Sequence, residues 1–286
     1  MAVVEDISEK ETPTPVRRSA MRPWWQRALV WVAGLVLLAV VIDAFFIEPY
    51  RVEATHWDVQ GPVGAPLKIA QLSDLHTKGI GRRERRVLEI LNAERPDAIV
   101  ITGDSLAGYG GTYQECKEFY EKLHAPYGVW FVRGNWETDT PIRPARRERE
   151  FYESAGVHLL LNSNVELRPG IWLIGLDDPT TGTVKLDTAF AGVPPDAYKI
   201  ALFHSPAFFD HIASRVNLVL AGHTHGGQVR IPFVDPFWLP KGSGHYLAGW
   251  YEKDGTKMYV DRGIGMSVMP IRFLCPPEVA FLTIHS

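Results

Sequence analysis

Seven side chains carry most of the chemistry open to this 286-residue sequence: Asp74, His76, Asp104, Asn135, His204, His223 and His225. Each follows a short apolar run. KIAQL leads into Ser73-Asp74-Leu75-His76, AIVIT into Gly103-Asp104, and VWFVR into Gly134-Asn135. KIALF leads into His204, and NLVLA into Gly222-His223-Thr224-His225. Singly, an Asp or Asn after a strand is an ordinary turn former, and a lone His is an ordinary polar residue. Together, two carboxylates, an amide and four imidazoles make a mixed oxygen and nitrogen set with enough donors for two divalent ions, provided one carboxylate bridges them. Mn, Fe, Zn, Ni or Co would suit it. Two ions roughly 3.5–4 Å apart activate water and clamp the oxygens of an in-line displacement at phosphorus, so phosphoryl transfer is the natural reaction. Asp74 and His76 are two apart, as are His223 and His225; in an extended segment that spacing turns both side chains the same way. Gly103, Gly134 and Gly222 leave room for backbone close to a site, and Gly226 with Gly227 permits a sharp exit.

The runs that must position these residues read as strands: Leu67 to Leu72, Ala98 to Thr102, Gly128 to Val132, Val157 to Leu161, Ile171 to Leu176, Lys199 to Phe203, Asn217 to Leu220, Lys257 to Val260 and Val279 to Ile284. Helices are predicted over Arg82 to Ala93, Tyr113 to Leu123 and Ala145 to Ala155, the last with Pro144 just before it. The alternation indicates an α/β layered fold, with the late strands able to form a second sheet. Open α/β sheets bind ligands outside the carboxyl ends of their strands, which is where all five polar clusters stand. A net charge of -3 and a pI near 6.4 give no global attraction to polyanions, so nucleic acid is not an expected partner. Cys116 and Cys275 have neither the spacing of a zinc site nor the number for a disulfide framework.

Ala28 to Ile47 is an apolar run of about 20 residues, the length of a membrane-spanning helix. Trp24 and Trp25 precede it, and Tyr50 and Trp57 follow, as interfacial aromatics do. A cleaved signal peptide would have a shorter core and small residues at a cut site; here the run ends in Phe45, Phe46, Ile47, Glu48 and Pro49, which favours a retained anchor. The adjacent Arg17 and Arg18 lack the other features of a twin-arginine export signal. Lys10, Arg17, Arg18, Arg22 and Arg27 lie on the N-terminal side of the span, whereas Arg51 alone follows it closely, so the positive-inside rule puts the N-terminus in the cytoplasm and the large domain outside. The sequence therefore divides into a cytoplasmic tail (1–27), a transmembrane anchor (28–48) and a catalytic domain (49–286), with an irregular connector over 49–66, where Gly61, Pro62, Gly64 and Pro66 fall.

The blocks Asp74-Leu75-His76, Gly103-Asp104, Gly134-Asn135-Trp136, His204 and Gly222-His223-Thr224-His225 resemble, in order, the D-x-H, G-D, G-N-H, H and G-H-x-H blocks of the calcineurin-like metallophosphoesterase superfamily. GHTHGGQVRIP, DRGIG and MPIRFLCPPEV are similar to the C-terminal signature of its membrane-associated YkuE/YaeI/LpxG-like branch. The resemblance implies a calcineurin-like four-layer α/β/β/α sandwich behind the N-terminal transmembrane helix. It implies Asp74, His76 and His225 on one metal, Asn135, His204 and His223 on the other, and Asp104 bridging; Asp104, Asn135 and His225 would be the catalytic residues. One position departs from the pattern: Trp136 stands where the family has the His that helps protonate the leaving oxygen. General acid help of that kind is worth roughly 10²–10⁴ in rate and matters least for good leaving groups. Superfamily hydrolases of UDP-diacylglucosamine also lack that His, so Trp136 points toward pyrophosphate or aryl-ester cleavage, unless another residue such as His245 serves as the acid.

For the substrate, Arg133 and Arg272 are candidates to bind a phosphate bidentately, with Trp136 and His245 beside them. The broken aromatic stretch PFVDPFWLPKGSGHYLAGWY is either packed loop or a wall that receives acyl chains at the membrane. Arg82, Arg83, Arg85 and Arg86 form either a solvated helix face or a contact for anionic head groups. A lipid bilayer and a membrane lipid or lipid-linked phosphate, such as a UDP-2,3-diacylglucosamine-like molecule, are thus the expected partners. The alternatives are a broad-specificity extracytoplasmic phosphodiesterase and a catalytically weak metal-binding scaffold, the second opposed by the survival of every ligand. SDLHTKG and GDSLAGYG depart from the Ser/Thr phosphatase blocks. The outward topology and a cytoplasmic UDP-lipid pull in opposite directions.

Overall fold

The structure, a computed structural model, describes residues 23–62, 64–106, 113–138 and 145–286, so most of the predicted cytoplasmic tail lies outside the described residues. The chain divides into two compact units, Met1–Val41 and Ile42–Ser286. Helix α1 (Trp24–Ile42) has no buried residue. The helical stretch Trp24–Tyr50 is 27 residues long with a mean hydropathy of 2.6, enough to cross a hydrocarbon core. The helix begins at Trp24, before the start of the predicted anchor at 28–48, and the last residues of that interval belong with the second unit. There Asp43–Ile47 forms a π-helical turn and Glu48–Tyr50 a 3-10 turn. Pro49, which has no N–H to continue a helix, falls in the second of these.

The second unit runs β1 (Glu53–Gln60), β2 (Leu67–Leu72), α2 (Arg82–Glu94), β3 (Ala98–Ile101), α3 (Tyr113–Tyr120), β4 (Val129–Phe131), α4 (Asn135–Thr138), α5 (Ala145–Ser154), β5 (His158–Leu159), β6 (Ser163–Arg168), β7 (Ile171–Gly175), α6 (Leu186–Ala189), β8 (Tyr198–Leu202), α7 (Phe209–Ile212), β9 (Leu218–Ala221), β10 (Gly249–Lys253), β11 (Thr256–Val260) and β12 (Glu278–His285). Two six-stranded sheets result, ordered β1-β12-β2-β3-β4-β5 and β10-β11-β9-β8-β7-β6. The central strands are apolar on both faces because each face meets a different core. Leu67, Ile69, Ala98 and Val100 of the first sheet pack with Ile200, Leu202, Leu218 and Leu220 of the second in the core between the sheets. Ala70, Leu72, Ile99 and Ile101 pack instead with the outer helices, against Val87, Ile90 and Leu91 of α2 and Phe119 of α3. Ala201, Val219 and Ala221 meet Phe209 and Ile212 of α7. This is the four-layer α/β/β/α arrangement, although the helices over the second sheet, α6 and α7, have only four residues each.

The connector predicted as irregular over 49–66 instead contains β1, paired in parallel with β12 from Glu53↔Glu278 to Gln60↔His285. As the edge strand it buries only Val59, so its sequence EATHWDVQ shows no strand-like alternation of apolar residues. The π and 3-10 turns are fastened to the catalytic body. Ala44 accepts a hydrogen bond from the Arg272 N–H at 3.0 Å. The buried Glu48 carboxylate accepts from the N–H groups of Leu274 (2.9 Å) and Cys275. Replacing Glu48 by Ala would leave two enclosed donors unpaired and should lower stability by roughly 1–3 kcal/mol. Denaturant titration of the detergent-solubilised chain measures this, and an unchanged midpoint would show that the loop does not need the carboxylate.

Candidate metal centre

All seven predicted ligands lie past the carboxyl ends of strands or at the first turn of a helix, on one edge of the two sheets. Asp74 and His76 follow β2, Asp104 follows β3, Asn135 opens α4, His204 follows β8, and His223 and His225 follow β9. Six of the side chains form two buried groups, Asp74-His76-His225 and Asp104-His204-His223. Asp104 Oδ2 lies 3.1 Å from His204 Nε2 and 3.8 Å from His76 Nε2, so it faces both groups. Asp74 Oδ1 is 3.3 Å from His225 Nε2 and 3.9 Å from His204 Nε2.

The convergence does not come from strand alternation, because β2 ends at Leu72 and β9 at Ala221, before the ligands. Asp74, His76, Asp104, His223 and His225 instead have positive φ, at 50°, 42°, 54°, 75° and 52°. Such backbone is uncommon outside glycine and persists only where the surroundings over-determine it. Here Asp74 and His76 donate N–H bonds to the carbonyls of Gly103 and Asp104, both at 3.0 Å, which laces the first two loops together. The His223 N–H and the Ser73 hydroxyl both donate to Asp74 Oδ2, at 2.9 and 2.6 Å. Two glycines are required by close approach: a Cβ at Gly134 would stand 2.1 Å from Asp104 Oδ1, and one at Gly222 would stand 1.8 Å from Ser73 Oγ.

The donor set fits a pair of cations. His76 Nδ1 donates to the Leu106 carbonyl at 3.0 Å, His204 Nδ1 to Thr102 at 2.7 Å, and His223 Nε2 to Lys241 at 2.9 Å. Those bonds put a proton on the outer nitrogen of each ring and turn the other nitrogen inward, as partners of metal-binding imidazoles do. The inward nitrogens of His223 and His204 are then 2.9 Å apart, and those of His76 and His225 3.2 Å apart. Nitrogens so close need a shared proton or a cation between them. Asp74 Oδ1 and Asn135 Oδ1 are buried with no hydrogen-bond partner, two more acceptors awaiting a cation. Burial works against charge on Asp74 and Asp104, yet the surrounding imidazoles hold both carboxyls below their usual range. Burial also opposes charge on His204, but Asp104 and Asp74 outweigh it and push this ring up to about 10. Burial lowers His76 and His223, and takes His225 well down.

Glu137, which sequence reasoning passed over, organises two of the loops. Its buried carboxylate accepts the N–H groups of Asp104 (2.9 Å), Ser105 (2.8 Å), Leu106 (3.1 Å) and Gly134 (2.8 Å). Burial and the nearby Asp104 charge push it up to about 7, while the donated hydrogen bonds favour the anion. Asp178 plays a similar part beside His204: it accepts the Ser205 hydroxyl at 2.5 Å and the Thr181 hydroxyl at 2.8 Å. The only signal for Glu137 in the sequence is its place two residues after Asn135.

The predicted substrate residues divide. Trp136 stands at the site: its ring meets His76 edge-on at 5.9 Å, and its backbone N–H donates to Asp104 Oδ1 at 3.0 Å. Arg133 and Arg272, predicted to grip phosphate, do not face a substrate. Arg133 is held by Glu148, with Asp177 at 3.6 Å. Arg272 is fully buried and donates to the carbonyls of Arg262, Gly263, Gly265 and Cys275. Enclosed carbonyls need donors, and the planar guanidinium supplies several at once. His245 is exposed and packs at a tilt on Tyr246, ring centroids 4.0 Å apart, beside Asp210, with no hydrogen bond or ion pair to the ligands. Of the four arginines at α2, Arg83 is buried and donates to Glu84 and the Leu75 carbonyl.

Two stacked sheets with two adjoining buried donor groups at their loop edge define a metal-dependent phosphoesterase. The chain belongs to the calcineurin-like phosphoesterase family, whose pattern matches residues 67–227, an interval that holds all seven predicted ligands. It is similar to the uncharacterised metallophosphoesterase YkuE of Bacillus subtilis, at 32% identity covering 85% of this chain and 89% of the relative. A bovine transmembrane protein with a metallophosphoesterase domain is 28% identical, over 77% of this chain and 53% of its own. Among solved structures, a dimetal phosphatase from Danio rerio is similar over 71% of this chain and 89% of its own, at 12% identity and a TM-score of 0.46. The chain is a phosphoester hydrolase.

Elemental analysis of the purified chain should find two divalent ions per molecule, and Asp104→Ala should lose at least one. Glu137→Ala leaves every donor in place but frees the loops, so metal affinity should fall roughly 10- to 100-fold. Competition with a chelator reads this; wild-type affinity in the variant would remove Glu137 from the site.

Proposed function

We propose that the chain hydrolyses a phosphodiester or pyrophosphate bond of a membrane-associated, lipid-linked substrate. The observation that carries this is the groove at the metal centre, a cavity of about 910 Å³ whose lining includes His76, Trp136, Lys78, Arg82, Met269 and Tyr50. Cations, apolar side chains and the edge of the ligand cluster share one wall, which suits a molecule with an anionic phosphate and an apolar body. Asp74, His76 and His225 would hold one cation and Asn135, His204 and His223 the other, with Asp104 between. When bound, such a pair supplies Lewis acidity and an activated water for in-line attack at phosphorus.

The protein's own groups fix the geometry. Trp136 pins Asp104 Oδ1 through its backbone N–H, and its indole walls the groove beside His76. The family's imidazole is missing here, so a leaving group that departs without a proton is favoured: a phosphate or a phenol rather than an alkoxide. Lys78 and Arg82 remain available to a substrate phosphate, unlike Arg133 and Arg272. A UDP-2,3-diacylglucosamine-like lipid is one substrate of this class, and its site of cleavage would be a pyrophosphate.

The metal-loaded full chain should therefore release nitrophenol from bis-p-nitrophenyl phosphate and cleave a lipid pyrophosphate, with both activities abolished in Asp104→Ala. Inactivity on both with metals bound would favour the scaffold reading. Trp136→His should raise turnover of an alkyl phosphodiester relative to the aryl ester, by up to roughly 10²–10⁴ if the imidazole reaches the leaving oxygen. An alkaline phosphatase fused to the C-terminus should be active outside the cytoplasm; in that orientation the substrate is an envelope lipid and not a UDP-linked precursor.

A further inference from the structure

The large apolar side chains exposed on the second unit are strongly localised. Outside residues 24–50, those among the described residues are Trp57, Tyr127 and eight others, and all eight fall within 231–238 and 268–274. Phe233, Phe237, Trp238, Val268 and Met269 are the most exposed of them. An unpartnered patch of this kind marks a surface that something covers. The two loops form one body: Val229 bridges Phe273, the Arg230 N–H donates to the Phe273 carbonyl at 2.8 Å, and the Gln228 amide donates to the carbonyls of Met269 and Ile271, both at 3.2 Å. Phe233, Val268 and Leu274 are held at positive φ, 66°, 58° and 52°, so the apolar tips are presented by a constrained backbone. Between the loops lies a cavity of about 400 Å³ lined by Phe237, Trp238, Val268, Met269 and Ile271, with His225 also in its wall.

What covers the patch follows from its attachment. The second loop accepts the chain where it arrives from the apolar helix, through Arg272 to Ala44 and through Leu274 and Cys275 to Glu48. On that same segment Phe45, Phe46 and Ile47 are exposed. The groove beside the second loop carries the exposed cations Lys78 and Arg82, the latter over the Tyr50 ring at 5.4 Å. Apolar tips next to a bilayer-entry point, with cations beside them, match an acyl layer under anionic head groups. We propose that the loops 231–238 and 268–274 insert into the bilayer that the chain's own helix spans, so that the metal-centre groove opens at head-group depth. The proposal rests on the membrane location within the functional reading above, and not on the identity of the substrate.

The test uses the full chain in phosphatidylethanolamine–phosphatidylglycerol vesicles, with and without doxyl-labelled lipid. Single variants Phe233→Cys, Val268→Cys, Tyr127→Cys and Leu35→Cys carry an environment-sensitive nitrobenzoxadiazole label. Both native thiols, Cys116 and Cys275, are buried and do not compete for it. Phe233 and Val268 are so exposed that their replacement disturbs no packing. Labels at 233, 268 and 35 should emit to the blue and lose fluorescence to doxyl lipid, while the label at 127 behaves as in water. Quenching at 35 with 233 and 268 resembling 127 would overturn the docking and leave the anchor intact. A blue shift at 233 and 268 without quenching would mean that a second copy of the chain covers the loops, also overturning the proposal. No quenching at 35 would remove the anchor and the docking together.

Discussion

Buried carboxylates and imidazole lone pairs cannot be brought within about 3 Å of one another unless positive charge is placed among them and the protein withstands their repulsion until it is. Every local feature of the metal centre answers that constraint. The outer nitrogens of His76, His204 and His223 are bonded to backbone carbonyls, so each ring is fixed in tautomer and direction before a cation arrives. The backbone at five ligands is held in left-handed conformations, and the loops are laced by N–H bonds from Asp74 to Gly103 and from His76 to Asp104. Glu137 adds a carboxylate that never faces the cations but gathers four N–H groups from the loops of Asp104 and Asn135. A site so prepared binds metal at little reorganisation cost and keeps its geometry through the reaction.

The ligands were legible in the sequence because chemistry and topology coincide there. Strand runs such as KIAQL and NLVLA are apolar on both faces, since each strand separates two cores, and such runs end abruptly where the polar clusters begin. Spacing alone was an uneven guide: Asp74 and His76 fall in one group, through positive φ beyond the strand end and not through the alternation of extended chain, whereas His223 and His225, at the same spacing, fall in different groups. Elements without a strong apolar signature were not legible. The edge strand β1 buries one side chain of eight, and the short β6 and β10 have the composition of loops.

Arginines show a different limit. A guanidinium near a metal motif suggests phosphate, yet sequence does not reveal whether its donors are already used. Arg133 is neutralised by Glu148 and Asp177, and Arg272 satisfies a set of enclosed carbonyls. Burying a cation is costly, and here the cost is offset by hydrogen bonds to carbonyls in several directions, which is what makes Arg272 a structural pin rather than a ligand-binding group. Glu137 is the reverse case: an acid beside a metal motif whose work is done entirely on backbone.

These pins also join the turns that follow the apolar helix to the metal centre. Glu48 and Ala44, in the turns that follow the apolar helix, hold the 272–275 loop. From that loop Arg272 reaches the carbonyls of Gly263 and Gly265, and Gly265 in turn donates its N–H to the Asp74 carbonyl at 2.6 Å. Ile264 donates to Ser73, whose hydroxyl holds Asp74 Oδ2. A chain of hydrogen bonds thus connects Asp74 to the same loop that receives the chain from the helix. If that helix spans a bilayer, as the functional proposal has it, the same loop fixes the height of the metal centre above the surface, and that height decides which phosphates the site can reach.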